Sequence, residues 1–91
     1  MADELEVIVK LTRKSMRNTE TLLRLPQVQA RHPLAKEVRG YLIRSLFYAD
    51  RVIAAIRDGN SHRSYFDDMT ANNDTAGRKL DDLRRSINAH S

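Results

Sequence analysis

Residues 41–56 read YLIRSLFYADRVIAAI, an apolar run interrupted by Arg44, Ser45, Asp50 and Arg51. The interruptions leave it well short of the roughly 20 uninterrupted apolar residues that span a bilayer. No β-type alternation runs through it. Leu42, Ser45, Ala49, Val52 and Ile56 step by three and four, and Ala35 and Val38 extend the same seam backward. That period places one face of an α-helix against a core. Leu34, Tyr41, Leu46, Phe47, Ile53 and Ala54 then spread apolar character around most of the circumference. Only a narrow strip is charged, with Glu37, Arg44 and Arg51 at seven-residue spacing flanked by Lys36, Asp50 and Arg57. A helix apolar on so many sides is a central one, enclosed by neighbours.

The ends of this helix follow from its punctuation. Pro33 suits a first turn, where its missing N–H costs nothing, and Gly59 suits the position just past the last turn. The helix is therefore predicted from Pro33 or Leu34 to about Asp58. On its N-terminal side, Pro26 and Pro33 bracket the connection PQVQARHP. Before that, a helix is predicted over about residues 3–25, opening with Asp3, Glu4 and Glu6 at the positive end of its dipole. Its seam is Leu5, Val9, Thr12, Met16, Thr19 and Leu23, with Ile8, Ser15 and Leu22 widening the same side into a core-facing stripe. The short threonines permit a neighbouring helix to come close.

On the C-terminal side, Asp58-Gly59-Asn60 makes a turn and Ser61 or Ser64 caps a third helix reaching about Ala89. Phe66, Met69, Asn73, Ala76, Leu80, Leu83 and Ile87 carry its seam. Asn73 in that line has the character of a register-setting polar residue. The stretch ANNDTAG is rich in poor helix formers, so a kink, or a break with Asn73 or Asp74 capping a further helix, is the alternative. The unbroken period favours continuity.

These three helices in 91 residues, with 41% apolar and 31% charged content, predict a single domain over residues 1–91. The expected fold is all-α, an elongated antiparallel three-helix bundle with the second helix central. Two flanking helices cover the middle one on two sides at most. Its remaining girth therefore predicts self-association or a groove for another protein. There is no cysteine, which removes disulfides, thiolate nucleophiles and sulfur-ligated zinc. The acidic start MADELEVIVKLTRK has no basic region followed by an apolar one, so no secretory signal is expected and the expected location is cytoplasmic.

The charge balance, 16 basic against 12 acidic residues for a net +4, leans only slightly toward an anionic partner. Lys10, Arg13, Lys14, Arg17 and Arg24 form a basic stripe on the first helix. A solvated face is the preferred reading, because no aromatic residues are interleaved to stack on bases; phosphate contact by this nucleic-acid-binding stripe is the alternative. Arg78, Lys79, Arg84 and Arg85 are interspersed with Asp81 and Asp82, a pattern for local ion pairs. Helices of about 22–28 residues do not suit a helix-turn-helix reader of DNA. His32, His62 and His90 lack metal-ligand spacing, and Gly40, Gly59 and Gly77 lie too far apart for a phosphate loop, so no metal, cofactor or small-molecule substrate is inferred.

The segment RDGNSHRSYFDD, residues 57–68, holds the one motif with chemical content. Arg57, Asp58 and His62 give arginine, polar residue, short spacer and histidine. In this respect the six residues resemble the HEPN superfamily of all-helical nucleotide-binding domains and ribonucleases. The resemblance implies His62 acting beside a ribose hydroxyl or leaving oxygen and Arg57 steadying phosphate charge. Gly59 falls between them, where a pair presented on one helix would have none. The same residues are accounted for as a corner: Arg57 at the negative end of the second helix, a turn, and a new helix start. The corner is the reading adopted, and the expected protein is not an enzyme. The sequence points to a noncatalytic interaction module, a small helical adaptor or regulatory subunit that binds a protein partner through Tyr41, Phe47, Tyr48 and Ile53.

Overall fold

The computed structural model describes residues 2–89, with side chains from residue 4; His90 and the side chain of Asp3 lie outside the described residues. The chain is all-α. Three long helices, α1 (Ala2–Leu23), α3 (Leu34–Asp58) and α4 (Arg63–Ala89), are joined by a short helix α2 (Pro26–Arg31) and a tight corner at residues 59–62. The helices give the molecule extents of 48 × 20 × 17 Å and a radius of gyration of 14.6 Å. A compact chain of this length would have about 12 Å. None of the described helices is long and apolar enough to cross a membrane.

The second helix expected from sequence is α3, and α1, α2 and α4 all pack on it, whereas no Cα of α1 comes within 8 Å of one of α4. Its seam goes inside as the period requires. Ala35, Val38, Ala49 and Val52 are fully buried, and Leu42 nearly so. Val9, Met16 and Leu23 reach this core from α1, and Met69, Ala76 and Leu83 from α4. The buried Ser45 hydroxyl donates to the Met69 carbonyl at 2.9 Å, which satisfies a polar group that would otherwise cost about 1–3 kcal/mol to bury.

Ion pairs between the helices show their relative direction. Arg57, Asp50 and Arg39 on α3 meet Glu6, Arg13 and Glu20 on α1, in reverse order along the two chains. Lys79 of α4 meets Glu37 of α3, while Ser45 bonds near Met69 further back, so α3 and α4 also run in opposite directions.

The ends of α3 are built as its sequence requires. Pro33 precedes the first turn with φ −54°. Gly59 takes φ +71°, its N–H bonds to the Ile56 carbonyl, and the Asn60 N–H bonds back to Ala55 at 2.8 Å. That is a Schellman arrangement, which needs a left-handed residue in the position where Gly stands. The segment bracketed by prolines is not a plain connection. Pro26 starts a six-residue helix, and the Gln29 side-chain amide donates to the Leu23 carbonyl at 3.0 Å, supplying a partner for one of the free carbonyls at the end of α1.

Helix α4 begins at Arg63, between the two candidate serine caps, and runs unbroken through ANNDTAG. The residues that weaken this stretch bond back along the same helix: Asn72 to the Asp68 carbonyl and Thr75 to the Ala71 carbonyl. Met69 and Ala76, buried on either side, hold it against the core. Tertiary packing here outweighs poor intrinsic propensity.

Candidate interaction surfaces

The four residues singled out on α3 separate. Ile53 is 5% exposed and joins Val9 and Met16 in the core, so it is no part of the surface. Tyr41 and Tyr48 are half-buried against that core. Phe47 is 52% exposed, and Ile43, one turn away, is 44% exposed. The sequence shows excess apolar girth on this helix but cannot tell which part of it the neighbouring helices cover.

Around Phe47 the exposed side of α3 forms a cluster of rings and guanidinium groups. The Tyr48 ring meets Phe47 edge-on, with centroids 5.4 Å apart. Arg51 lies 5.1 Å from the Phe47 centroid and Arg44 lies 5.3 Å from that of Tyr41. Lys79 of α4 approaches Tyr41 at 5.9 Å. Cations over ring faces are attracted by the ring quadrupole. Here they also keep the rings from forming a bare patch.

The basic stripe of α1 borders α3 at Arg13, and part of it is neutralised. Arg13 contacts Asp50 at 2.7 Å and Lys10 contacts Glu6 at 3.5 Å. Lys14 and Arg17 join them around a shallow depression of about 300 Å³, while Arg24 stands exposed beyond it. The same side carries the buried end of Glu20, bonded to Arg39 at 2.9 Å.

Arg57 and His62 lie at the corner. The Arg57 Nε donates to Glu6 at 3.0 Å, which ties the end of α3 to the start of α1. This hydrogen bond, with a further contribution from Lys10, lowers the Glu6 carboxyl below its ordinary pKa. His62 is half-buried, and its carbonyl accepts the Phe66 N–H at 2.9 Å in the first turn of α4. Among the described residues no three His, Asp or Glu side chains gather as a metal ion would need.

One surface was not legible as such. Ile8 and Leu22, placed by their period in a widened core stripe, are 57% and 63% exposed, and Val7 and Leu11 are 55% and 64% exposed. With α1 and α4 held apart, Ser15 and Thr19 of α1 face Asn73 and Gly77 of α4 across a shallow cleft floored by Val38 and Leu42. The signal was the breadth of the apolar stripe on α1, wider than one neighbouring helix can cover. No family model, no curated protein and no solved structure matches the chain.

Proposed function

We propose that the chain is a noncatalytic protein–protein interaction module of the cytoplasm, an elongated antiparallel three-helix bundle serving as a small adaptor or regulatory subunit. The observation that carries this reading is Phe47. It stands half-exposed on the helix that is otherwise the most deeply buried, with Ile43, Tyr41 and Tyr48 beside it and Arg44 and Arg51 over the rings. Aromatic and arginine side chains are the residue types that most often dominate binding energy at interfaces. The partner that fits is a polypeptide presenting an apolar ridge with acidic residues at its edges.

The test is capture from the native cell with wild type and with Phe47→Glu in parallel. Phe47 is exposed enough that the variant should keep its circular dichroism spectrum. Loss of specifically retained polypeptides supports the reading, and retention of all of them by the variant refutes it. A second reading rests on the depression between Lys10, Arg13, Lys14 and Arg17: phosphate groups of a nucleic acid would be drawn there, most strongly by Lys14 and Arg17.

A further inference from the structure

We propose that two copies of this chain associate through α1, each laying that helix along the cleft between α1 and α4 of the other. The proposal concerns a different face from the Phe47 strip and does not rest on it.

The first support is the symmetry of the exposed stripe. Ile8 and Leu22 each lie seven residues from Ser15, Leu11 and Thr19 four, and Thr12 and Asn18 three. A two-fold axis through Ser15 brings each member of a pair against the other member on the second copy. Ile8 then meets Leu22, apolar on apolar, and the smallest side chain, Ser15, faces itself where the helices approach most closely. Pairing of residue i with j and j with i is what a two-fold interface demands. No charged side chain interrupts these positions, and the large apolar members are 57–64% exposed.

The second support is charge placement. Ser15 and Asn73 line the same cleft and so stand at nearly the same level along the molecule. An axis at Ser15 therefore carries Lys14 to the level of the partner's Asp74. Both are exposed, and within the described chain neither makes an ion pair. Asp74 lines a shallow depression of α4 with Asp81, Arg78 and Arg84; Asp81 is paired with Arg84 at 3.8 Å, which leaves Asp74 as the carboxylate open to Lys14. Asn73, half-buried in the cleft wall with no partner for its amide among the described residues, offers a polar group that a second copy can engage at this level.

The third support is area. A helix of 22 residues is about 33 Å long. A strip of that length across the 17–20 Å width of the molecule has a footprint of roughly 600 Å² per partner, within the lower part of the range for specific interfaces.

The chain has no cysteine, so single cysteines report the geometry directly. Ser15→Cys, oxidised at micromolar concentration, should move to twice the monomer mass, because the two-fold brings these Cα atoms within disulfide range. An equimolar mixture of Ile8→Cys and Leu22→Cys should give the mixed disulfide in preference to either symmetric one. Phe47→Cys should stay monomeric on a denaturing gel. Leu11→Glu, at an exposed position, should turn a light-scattering dimer into a monomer with unchanged helical content. A strictly monomeric wild type overturns the proposal. So does a dimer that survives Leu11→Glu and dissociates with Phe47→Glu, which would place the contact on α3. Preferential symmetric Ile8→Cys disulfides would overturn it as well, since they bring Ile8 against itself, which a two-fold axis at Ser15 excludes.

Discussion

Ile53 and Phe47 lie six residues apart on α3, and truncating each to alanine should have sharply different costs. Ile53 is 5% exposed inside the core and Phe47 is 52% exposed outside it. Ile53→Ala removes three carbons, each worth about 0.8 kcal/mol of transfer energy, and leaves a cavity between α3 and its neighbours that adds to the loss. The expected cost is about 3 kcal/mol. Phe47→Ala loses about half of a side-chain burial worth roughly 1.5–3 kcal/mol, together with the edge contact to Tyr48. The expected cost is about 1–1.5 kcal/mol.

In a domain of this size each kcal/mol moves the melting temperature by about 4–8 °C. Ile53→Ala should therefore lower Tm by about 12–24 °C and Phe47→Ala by about a third to a half of that. Urea unfolding followed by circular dichroism measures both, at a fixed low concentration so that association contributes equally. Equal costs for the two variants would refute the assignment of Ile53 to the core and Phe47 to the surface. A stable Ile53→Ala would do so alone.

The Glu6 carboxyl is lowered by its hydrogen bond from Arg57 and then by Lys10. A depressed folded-state pKa contributes stability that is fully present above the unfolded value, near 4.5, and is lost as pH falls through the folded value. The stability difference between wild type and Arg57→Ala should be flat from pH 7 to about 5.5 and shrink below pH 4.5; a difference that grows on acidification contradicts the pair. For the basic depression, fluorescence anisotropy with a duplex oligonucleotide should show log K falling with log salt at a slope of about −2, for the two unpaired cations Lys14 and Arg17. Absence of binding at low salt ends the nucleic-acid reading, and Lys14→Ala with Arg17→Ala should flatten any slope found.

The central helix was legible because its requirement is local and redundant. Ala35, Val38, Leu42, Ser45, Ala49 and Val52 repeat one period over five turns, and any partner on that side buries them. Gly59 was legible for a similar reason, since the corner needs a left-handed residue and glycine takes that conformation without a Cβ penalty. The helix Pro26–Arg31 was not. Six residues are too few to show a helical period, and its stability comes from Pro26, from the Gln29 amide on the end of α1, and from Val28 against the core.

The larger departure concerns where the uncovered apolar surface lies. Sequence periodicity identifies the residues that share a helix face, while the number of neighbours on that face depends on how far apart the other helices stand. The excess was expected on the second helix, but α3 is flanked by both long partners and leaves only Ile43 and Phe47 outside as large apolar side chains. Helix α1 touches α3 and not α4, so a stripe that reads as one wide core face divides into a buried line, Val9, Met16 and Leu23, and an exposed line, Ile8, Ser15 and Leu22, with Leu11 exposed beside it. Leu11 and Leu22 are 64% and 63% exposed within one copy, whereas Ser15 between them is small where the proposed symmetric neighbour needs it small. That combination of size and position is the ground for proposing a contact with a second copy there, since scattered surface leucines by themselves are ordinary.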